Sequence, residues 1–370
     1  MLISLFSWFY KYISKPILFQ FDPESVHFFV SNQSEMIGRS KTLTNLLNKL
    51  FSKKSKILKQ KIAGIIFESP LGLAAGFDYE AKCVKILPSV GFGFNTVGTI
   101  TNLEYKGNPP PRLGRLPKSK SLMVYKGFKN KGALWTSNKL KNQIFEVPLG
   151  ISIGKSNRKE IDTQEKAIKD IVSAFKTFEK SGVKNSYYEL NISCPNLFGN
   201  VTFYPPNNLS ELLKAVDKLK IKNPIFIKMP INESDESVKK MINVILRHKI
   251  EGIIIGNLQK DRKNESIHKE ELKWDHGNFS GLPTQKRSDE LITLAYKNSK
   301  GKLIIIGCGG TFTTKDAYRK IKLGASLVQL ITGFIFEGPF LIAKMNQELP
   351  ELLKNDGYKN ISEAIGANVK

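Results

Sequence analysis

The chain has 370 residues, 41% of them hydrophobic and 24% charged, with 57 Lys and Arg against 33 Asp and Glu for a formal charge of +24. This excludes a disordered chain and leaves one large domain with an appendage, or two ordinary domains. Cys83, Cys194 and Cys308 stand at wide spacing and His27, His248, His268 and His276 form no ligand pattern, so a reduced, intracellular chain with no metal is expected. The positive charge invites a polyanionic partner. The lysines are nevertheless spread along the whole chain, with only short clusters such as Lys53-Lys54-Ser55-Lys56, and no nucleic-acid module accompanies them. They read as a solvated surface with some attraction to anionic lipid, and no nucleic acid is expected.

Residues 1–50 differ in kind from the rest. Leu2, Ile3, Leu5, Phe6, Trp8, Phe9, Tyr10, Tyr12 and Ile13 form an apolar stretch that Pro16 is expected to break, and Asp22-Pro23-Glu24 opens another helix. The stretch is shorter than the ~20 residues of a spanning helix. It also lacks the basic start and small-residue cleavage site of a signal peptide. An interfacial anchor with aromatic rings at headgroup depth fits, a core helix capping the rest being the alternative.

From residue 62 onward short apolar runs alternate with helical patterns, the signature of βα units and a parallel sheet. The runs are 70–76, 94–100, 149–154, 187–192, 224–229, 252–257, 303–307 and 327–332. Between them, Ile168, Ile171, Val172, Phe175 and Phe178 recur at helical spacing within 165–181, and 211–219 and 237–248 behave alike. Eight strands each followed by a helix predict a (β/α)8 TIM barrel, preceded by an N-terminal helical extension. Residues 51–370 form the barrel in this reading. Its active site belongs where strands end. Gly76-Phe77-Asp78, Asn191 to Asn196, Lys228, Asn257, Gly309-Gly310 and Thr332-Gly333 all stand at such ends.

Three of these ends carry chemistry. After the fourth run, Leu190-Asn-Ile-Ser-Cys-Pro-Asn196 delivers a thiol and two amides into a turn stiffened by Pro195. Cys194 is a candidate proton-abstracting base, its thiolate fraction enlarged by a polar site, and Asn191 and Asn196 could orient a planar substrate. A small buried cysteine with no role is the alternative. Lys228 closes an otherwise apolar strand, where a cation would stabilise a reduced flavin ring. Gly307-Cys-Gly-Gly-Thr311, followed by the helix start at 313–316, makes a phosphate cradle with Thr332 and Gly333 of the adjacent strand.

Together these segments resemble the membrane-associated, quinone-dependent class of dihydroorotate dehydrogenases over nearly the whole chain. The further landmarks are Asp22-Pro-Glu-Ser-Val-His27, Pro70-Leu-Gly-Leu-Ala-Ala-Gly-Phe-Asp78, Val90-Gly-Phe-Gly-Phe-Asn-Thr-Val-Gly-Thr99, Gly107-Asn-Pro-Pro-Pro-Arg-Leu-Gly-Arg115 and Phe279-Ser-Gly281. The resemblance implies FMN at the barrel mouth, its phosphate on Ser280, Gly281, Gly309, Gly310, Thr332 and Gly333. Ala74, Ala75, Gly76, Thr99, Ser152, Asn191, Leu330 and Ile331 would line the flavin, with Lys228 supporting its ring. Asn191, Asn196, Asn257 and Phe128 would hold dihydroorotate. Cys194 would remove the C5 proton while hydride leaves C6 for the flavin, and a quinone near His27 and Arg115 would take the electrons. This implies oxidation of dihydroorotate to orotate in pyrimidine (UMP) biosynthesis by a monomer peripherally bound to a membrane, on the cytoplasmic face if the cell is bacterial.

The chain departs from that family in the site itself. Cysteine 194 replaces the serine usual in the quinone-dependent class. Tyr79 replaces a lysine expected after Phe-Asp, for which Lys82 is the candidate substitute. Val124 and Tyr125 stand where an asparagine is expected, Ser152 replaces another, and Leu258 replaces a threonine. Each lost hydrogen bond is worth ~0.5–3 kcal/mol, so the departures bear on the substrate more than on the cofactor. Two other readings follow: an FMN oxidoreductase with another substrate, such as a tRNA dihydrouridine synthase, or a flavin-binding protein with a decayed substrate site. The Asn-Ile-Ser-Cys-Pro-Asn motif and the N-terminal hairpin favour the orotate family.

Overall fold

A computed structural model describes residues 2–199 and 201–369; residues 1 and 370, the outer limits of the two expected segments, lie outside the described residues. Its centre is a closed barrel of eight parallel strands, Leu71–Leu73, Phe94–Ile100, Leu149–Ile153, Tyr187–Asn191, Ile225–Met229, Gly252–Ile255, Ile304–Cys308 and Leu327–Leu330. Every strand pairs with its neighbour in sequence and the eighth closes on the first. All eight expected runs are therefore barrel strands. Helices including Gln164–Ser181, Pro206–Asp217 and Asp235–Ile245 cover the outside.

The period of two along a strand sorts the interior into layers. On the fourth strand Tyr187, Glu189 and Asn191 lie at successive heights. Tyr187 joins Phe94, Phe226, Ile254, Ile306 and Leu327 in an apolar floor, closed from below by Phe67 of the hairpin Gln60–Ile62 and Ile65–Phe67. Gly150 makes room for that layer, since a Cβ there would lie 2.2 Å from the Tyr187 ring. Above the floor, one Glu189 carboxylate oxygen accepts from Thr96 and from Gln329, each at 2.6 Å. The next step up is the mouth, where Asn191 is in register with Lys228 of the fifth strand. The packing below fixes the backbone that carries these two groups.

The N-terminal segment departs from expectation at Pro16. Helix Leu2–Phe9 runs on through a wider turn at 10–14, where Lys15 N–H donates to Tyr10 O, into Lys15–Leu18. Proline lacks an N–H and crowds the carbonyl four residues back, and the wider turn absorbs both defects without ending the helix. The chain then reverses into Pro23–Arg39, capped by Asp22 Oδ1 accepting from Ser25 N at 2.8 Å. Phe6 packs on Phe51 and Phe340, and the Tyr10 hydroxyl donates to Ile335 O at 2.6 Å. The opposite side exposes Leu5, Trp8, Phe9, Tyr12, Phe28 and Phe29. Among the described residues no helix is long and apolar enough to cross a membrane.

Candidate active site

Three neighbouring spaces that share lining residues lie at the barrel mouth and under the N-terminal helices. The middle one, a cavity of about 890 Å3, is lined by Ala75, Gly76 and Tyr79 after the first strand, Thr99 of the second, and Asn191, Cys194 and Asn196 from the fourth strand and its loop. Lys228, Asn257, Leu258 and Ile331 come from later strand ends. Its roof is a small antiparallel sheet, Leu113–Leu116, Ser121–Val124 and Asn278–Phe279, which contributes Leu113, Leu122 and Val124, with Lys126, Phe128 and Lys129 following. The sequence reading missed this sheet. Its strands are two to four residues long and too short to show a period.

The amides are ordered by one another. Asn191 Nδ2 donates to Thr99 Oγ1 at 2.8 Å while its Oδ1 accepts from the Ser193 hydroxyl at 3.1 Å. Asn257 Nδ2 donates to Ser193 Oγ at 2.6 Å, so Ser193, which no sequence signal singled out, joins two of the candidates. Asn196 donates to Val124 O at 3.0 Å and accepts from Asn278 at 2.6 Å. Ser152 does not border the cavity. It bonds Thr99 Oγ1 at 3.0 Å from behind, an orienting contact in place of the lining role expected of it.

Two further expectations are corrected. Burial pushes the Cys194 thiol up to about 12, against the pull of the Asn196 N–H, Lys228 and Lys155, so the site does not enlarge the thiolate fraction. Lys82 does not replace the lysine missing at Tyr79. Its ammonium lies 2.6 Å from Glu80 and 4.7 Å over the Phe28 ring, outside the cavity lining. Another lysine, Lys126, borders the cavity 4.4 Å over the Tyr79 ring.

The second space, a cleft of about 510 Å3, shares Ala75, Lys228, Asn257, Ser280 and Thr332 with the cavity and adds Ala74, Gly281, Gly309, Gly310, Leu330 and Gly333. It is a backbone cradle. A Cβ on Gly333 would lie 1.8 Å from Thr311 O, and one on Gly310, whose φ is +61°, 2.3 Å from Gln285. The Thr311 hydroxyl at its edge is buried without a hydrogen-bond partner among the described residues. Ser280 and Thr332 hydroxyls lie 2.8 Å apart on its rim. Close backbone, hydroxyls and an orphaned donor fit a phosphate.

The third space, about 880 Å3, is apolar and lies under the N-terminal helices, lined by Leu18, Val26, His27, Val30, Arg115 and Phe334 among others. It shares His27, Phe77, Leu113, Leu122 and Ile335 with the cavity. Arg115 donates to Phe21 O at 2.6 Å and lies 4.6 Å over the Phe19 ring, tying the helical turn to the small sheet. Burial, then nearby Lys126, Lys129 and Lys82, holds His27 well below the usual histidine range, so its imidazole is neutral. Glu24 binds both Lys129 at 2.7 Å and Arg112 at 2.8 Å. Among the described residues no group of three or more His, Cys, Asp or Glu side chains is placed to hold a metal ion.

This arrangement has counterparts among known proteins. A family model described as dihydroorotate dehydrogenase matches residues 57–353. The dihydroorotate dehydrogenase (quinone) of Trichodesmium erythraeum is 34% identical over 376 residues, covering 96% of this chain and 98% of that protein. That of Christiangramia forsetii is 36% identical over 346 residues, covering 92% and 99%. The crystal structure of DHODH from Eimeria tenella in complex with ferulenol superposes with a TM-score of 0.82 at 28% identity, covering 94% of this chain and 96% of that one. With the family model matching most of the barrel, relatives matching nearly the whole chain, and a solved structure sharing the fold over 94% of it, the chain belongs to the quinone-dependent dihydroorotate dehydrogenase family.

Proposed function

We propose that the chain oxidises (S)-dihydroorotate to orotate with FMN as cofactor and a membrane quinone as electron acceptor, the redox step of UMP synthesis. The observation that carries this reading is the adjacency of the three spaces, since glycine cradle, amide-lined cavity and apolar cleft each share lining residues with the next. FMN phosphate would rest on Gly281, Gly309, Gly310, Thr332 and Gly333 with Ser280 and Thr311. Its ring would lie along Ala74, Ala75, Gly76, Thr99, Leu330 and Ile331, with Lys228 beside it. When bound, the flavin supplies the acceptor for the substrate's hydride and the donor for the quinone.

The chain's own residues do the rest. Asn191, Asn196 and Asn257 pair with the ring N–H and C=O groups of a planar pyrimidine, and Phe128 packs against it. Cys194 takes the proton from C5. Its pKa of about 12 makes it a strong but scarcely ionised base. The cleft beside His27 and Arg115 admits an apolar quinone. Residues 1–50 serve as quinone tunnel and peripheral membrane anchor, residues 51–370 as the FMN barrel, and the protein acts as a monomer. The exposed aromatic side of the first helix supports the anchor.

Tyr79, Val124 and Leu258 all border the cavity, so the test must read turnover as well as flavin binding. The chain, purified in mild detergent, is titrated anaerobically with L-dihydroorotate while flavin absorption is followed, and a soluble quinone is then added. Bleaching followed by recovery is expected. A flavin that stays oxidised refutes the substrate assignment, and a preparation without flavin refutes the cofactor.

A further inference from the structure

The cations around the cavity are not alike. Lys129 and Arg112 share Glu24, Lys82 is held by Glu80 at 2.6 Å, and Lys139 by Glu35 at 3.0 Å. The two buried lysines that border the cavity, Lys126 and Lys228, have no such partner among the described residues. Lys126 is 9% exposed and borders the cavity, yet no carboxylate lies within ion-pair reach of it among the described residues. What holds it is the face of Tyr79, 4.4 Å from the ammonium. A buried ammonium facing a cavity without a counter-ion is costly in the empty protein and is relieved when an anion arrives.

The cavity itself indicates which anion. Asn191, Asn196, Asn257 and Cys194 line it as neutral groups able to pair with a ring's N–H and C=O, and none of them neutralises a carboxylate. Lys228 borders both the cavity and the phosphate cleft, whereas Lys126 borders the cavity alone. We propose that Lys126, propped on the ring of Tyr79, is the cation that receives the substrate's carboxylate, an assignment that rests on the functional reading above. The charge missing at position 79 is thereby delivered from the loop beneath the small sheet.

The assignment couples binding to a proton. Burial, opposed by Glu24 and Glu80 and reinforced by Lys129 and Arg112, pushes Lys126 down to about 7. Three titratable neighbours, Glu24, His27 and Tyr79, keep one charge state between pH 7 and 9. Glu24 lies below the ordinary carboxyl range, its burial outweighed by Lys129 and Arg112, His27 is already neutral, and burial pushes Tyr79 up. Orotate affinity therefore falls about tenfold per pH unit above 7 until the higher pKa of the complex is reached.

The test compares holoenzyme, Lys126→Met and Lys126→Arg for equilibrium binding of orotate and of its uncharged methyl ester at pH 6.5 to 9. Lys126→Met is expected to weaken orotate about 10- to 100-fold at pH 6.5 and to flatten its pH dependence, with the ester changed less than about twofold. Lys126→Arg keeps the affinity at pH 6.5 and loses the pH dependence, since arginine stays charged. Orotate binding that Lys126→Met leaves unchanged overturns the Lys126 assignment alone. Equal loss of acid and ester makes the role structural, and loss of flavin moves the lysine to the cofactor, so either result also overturns it. Failure of the unaltered holoenzyme to bind orotate at any pH overturns the functional reading, and the assignment with it.

Discussion

The pH dependence of proton abstraction by Cys194 can be worked out from its surroundings. With the thiol at about 12, about one molecule in 10^4 carries the thiolate at pH 8 and about one in 10^3 at pH 9. If that thiolate takes the C5 proton, the limiting rate of flavin reduction at saturating dihydroorotate rises about tenfold per pH unit from 6.5 to 9.5 without a plateau. An ordinary thiol would begin to level near ~8.5. Lys155, which pulls the thiol downward, offers a second handle outside the cofactor cleft. Lys155→Met should slow the step about threefold or more at every pH and leave the slope unchanged. Cys194→Ala should slow it by about 100-fold or more. Anaerobic stopped-flow absorbance gives the limiting rate and the substrate dissociation constant separately. The former should rise with pH while the latter weakens above pH 7 through Lys126. A plateau below pH 8, or a Lys155→Met rate equal to that of the unaltered protein, would refute the argument.

Other expectations follow from single contacts. Gly333→Ala drives a Cβ against Thr311 O and should cost about 1–3 kcal/mol of stability while abolishing flavin retention after desalting; a variant that keeps stoichiometric flavin removes the cradle assignment. Glu24→Gln removes the partner of Lys129 and Arg112, and with both pairs about one-fifth exposed the stability cost should be only about 1 kcal/mol. The quinone KM should rise because the Pro23–Arg39 helix loosens over the cleft, while flavin reduction by dihydroorotate keeps its rate; an unchanged quinone KM counts against that role. Lys126→Met should stabilise the ligand-free protein near pH 6.5, by up to about 5 kcal/mol given a lysine pushed from its ordinary value of ~10.4 down to about 7. The sign is set by proton binding. Between about 7 and the ~10.4 of an unfolded lysine, the unfolded chain binds the extra proton, so native stability rises with pH there, and the methionine variant should lack that rise in thermal melts. Leu5→Glu with Trp8→Glu alters only the exposed side of the first helix and should reduce partition into lipid vesicles at least about tenfold. Unchanged partition removes the anchor.

The barrel was legible because each strand is an apolar run with a polar or glycine residue at its end, so position along the strand and role in the mouth were encoded together. Asn191 and Lys228 illustrate this: two steps above Tyr187 and one step above Phe226 respectively, on strands paired in register, they border the same cavity. The cradle was legible for a related reason, as Gly309, Gly310 and Gly333 are demanded by backbone proximity. What was not legible depends on burial and on contacts across the chain. The Cys194 motif is the same string whether its thiol is hydrated or enclosed, and enclosure reverses the expected shift. Pro16 is an expected stop that one wider turn converts into a continuous helix. Lys126 was passed over because a missing asparagine was sought before Gly127 and a missing lysine after Asp78. The structure places the answer to the second beside the vacancy of the first.

That exchange has an energetic logic. Glu24 spends its carboxylate on Lys129 and Arg112, which join the N-terminal helix to the small sheet, so the charges that fasten the annex are satisfied whether or not the site is occupied. A second carboxylate beside Lys126 would fasten it equally well and stabilise the empty protein. It would also occupy the cavity's cation and repel an anionic substrate, since two carboxylates do not share one ammonium without a large cost. Tyr79 avoids this, because an aromatic face orients the ammonium without neutralising it. A lysine at position 79 would have set a further buried cation directly beside Lys126, each depressing the other. With tyrosine there and lysine at 126, the cavity holds, beside Lys228, a movable charge on a fixed ring, and the stability given up in the empty state returns as affinity when the carboxylate arrives.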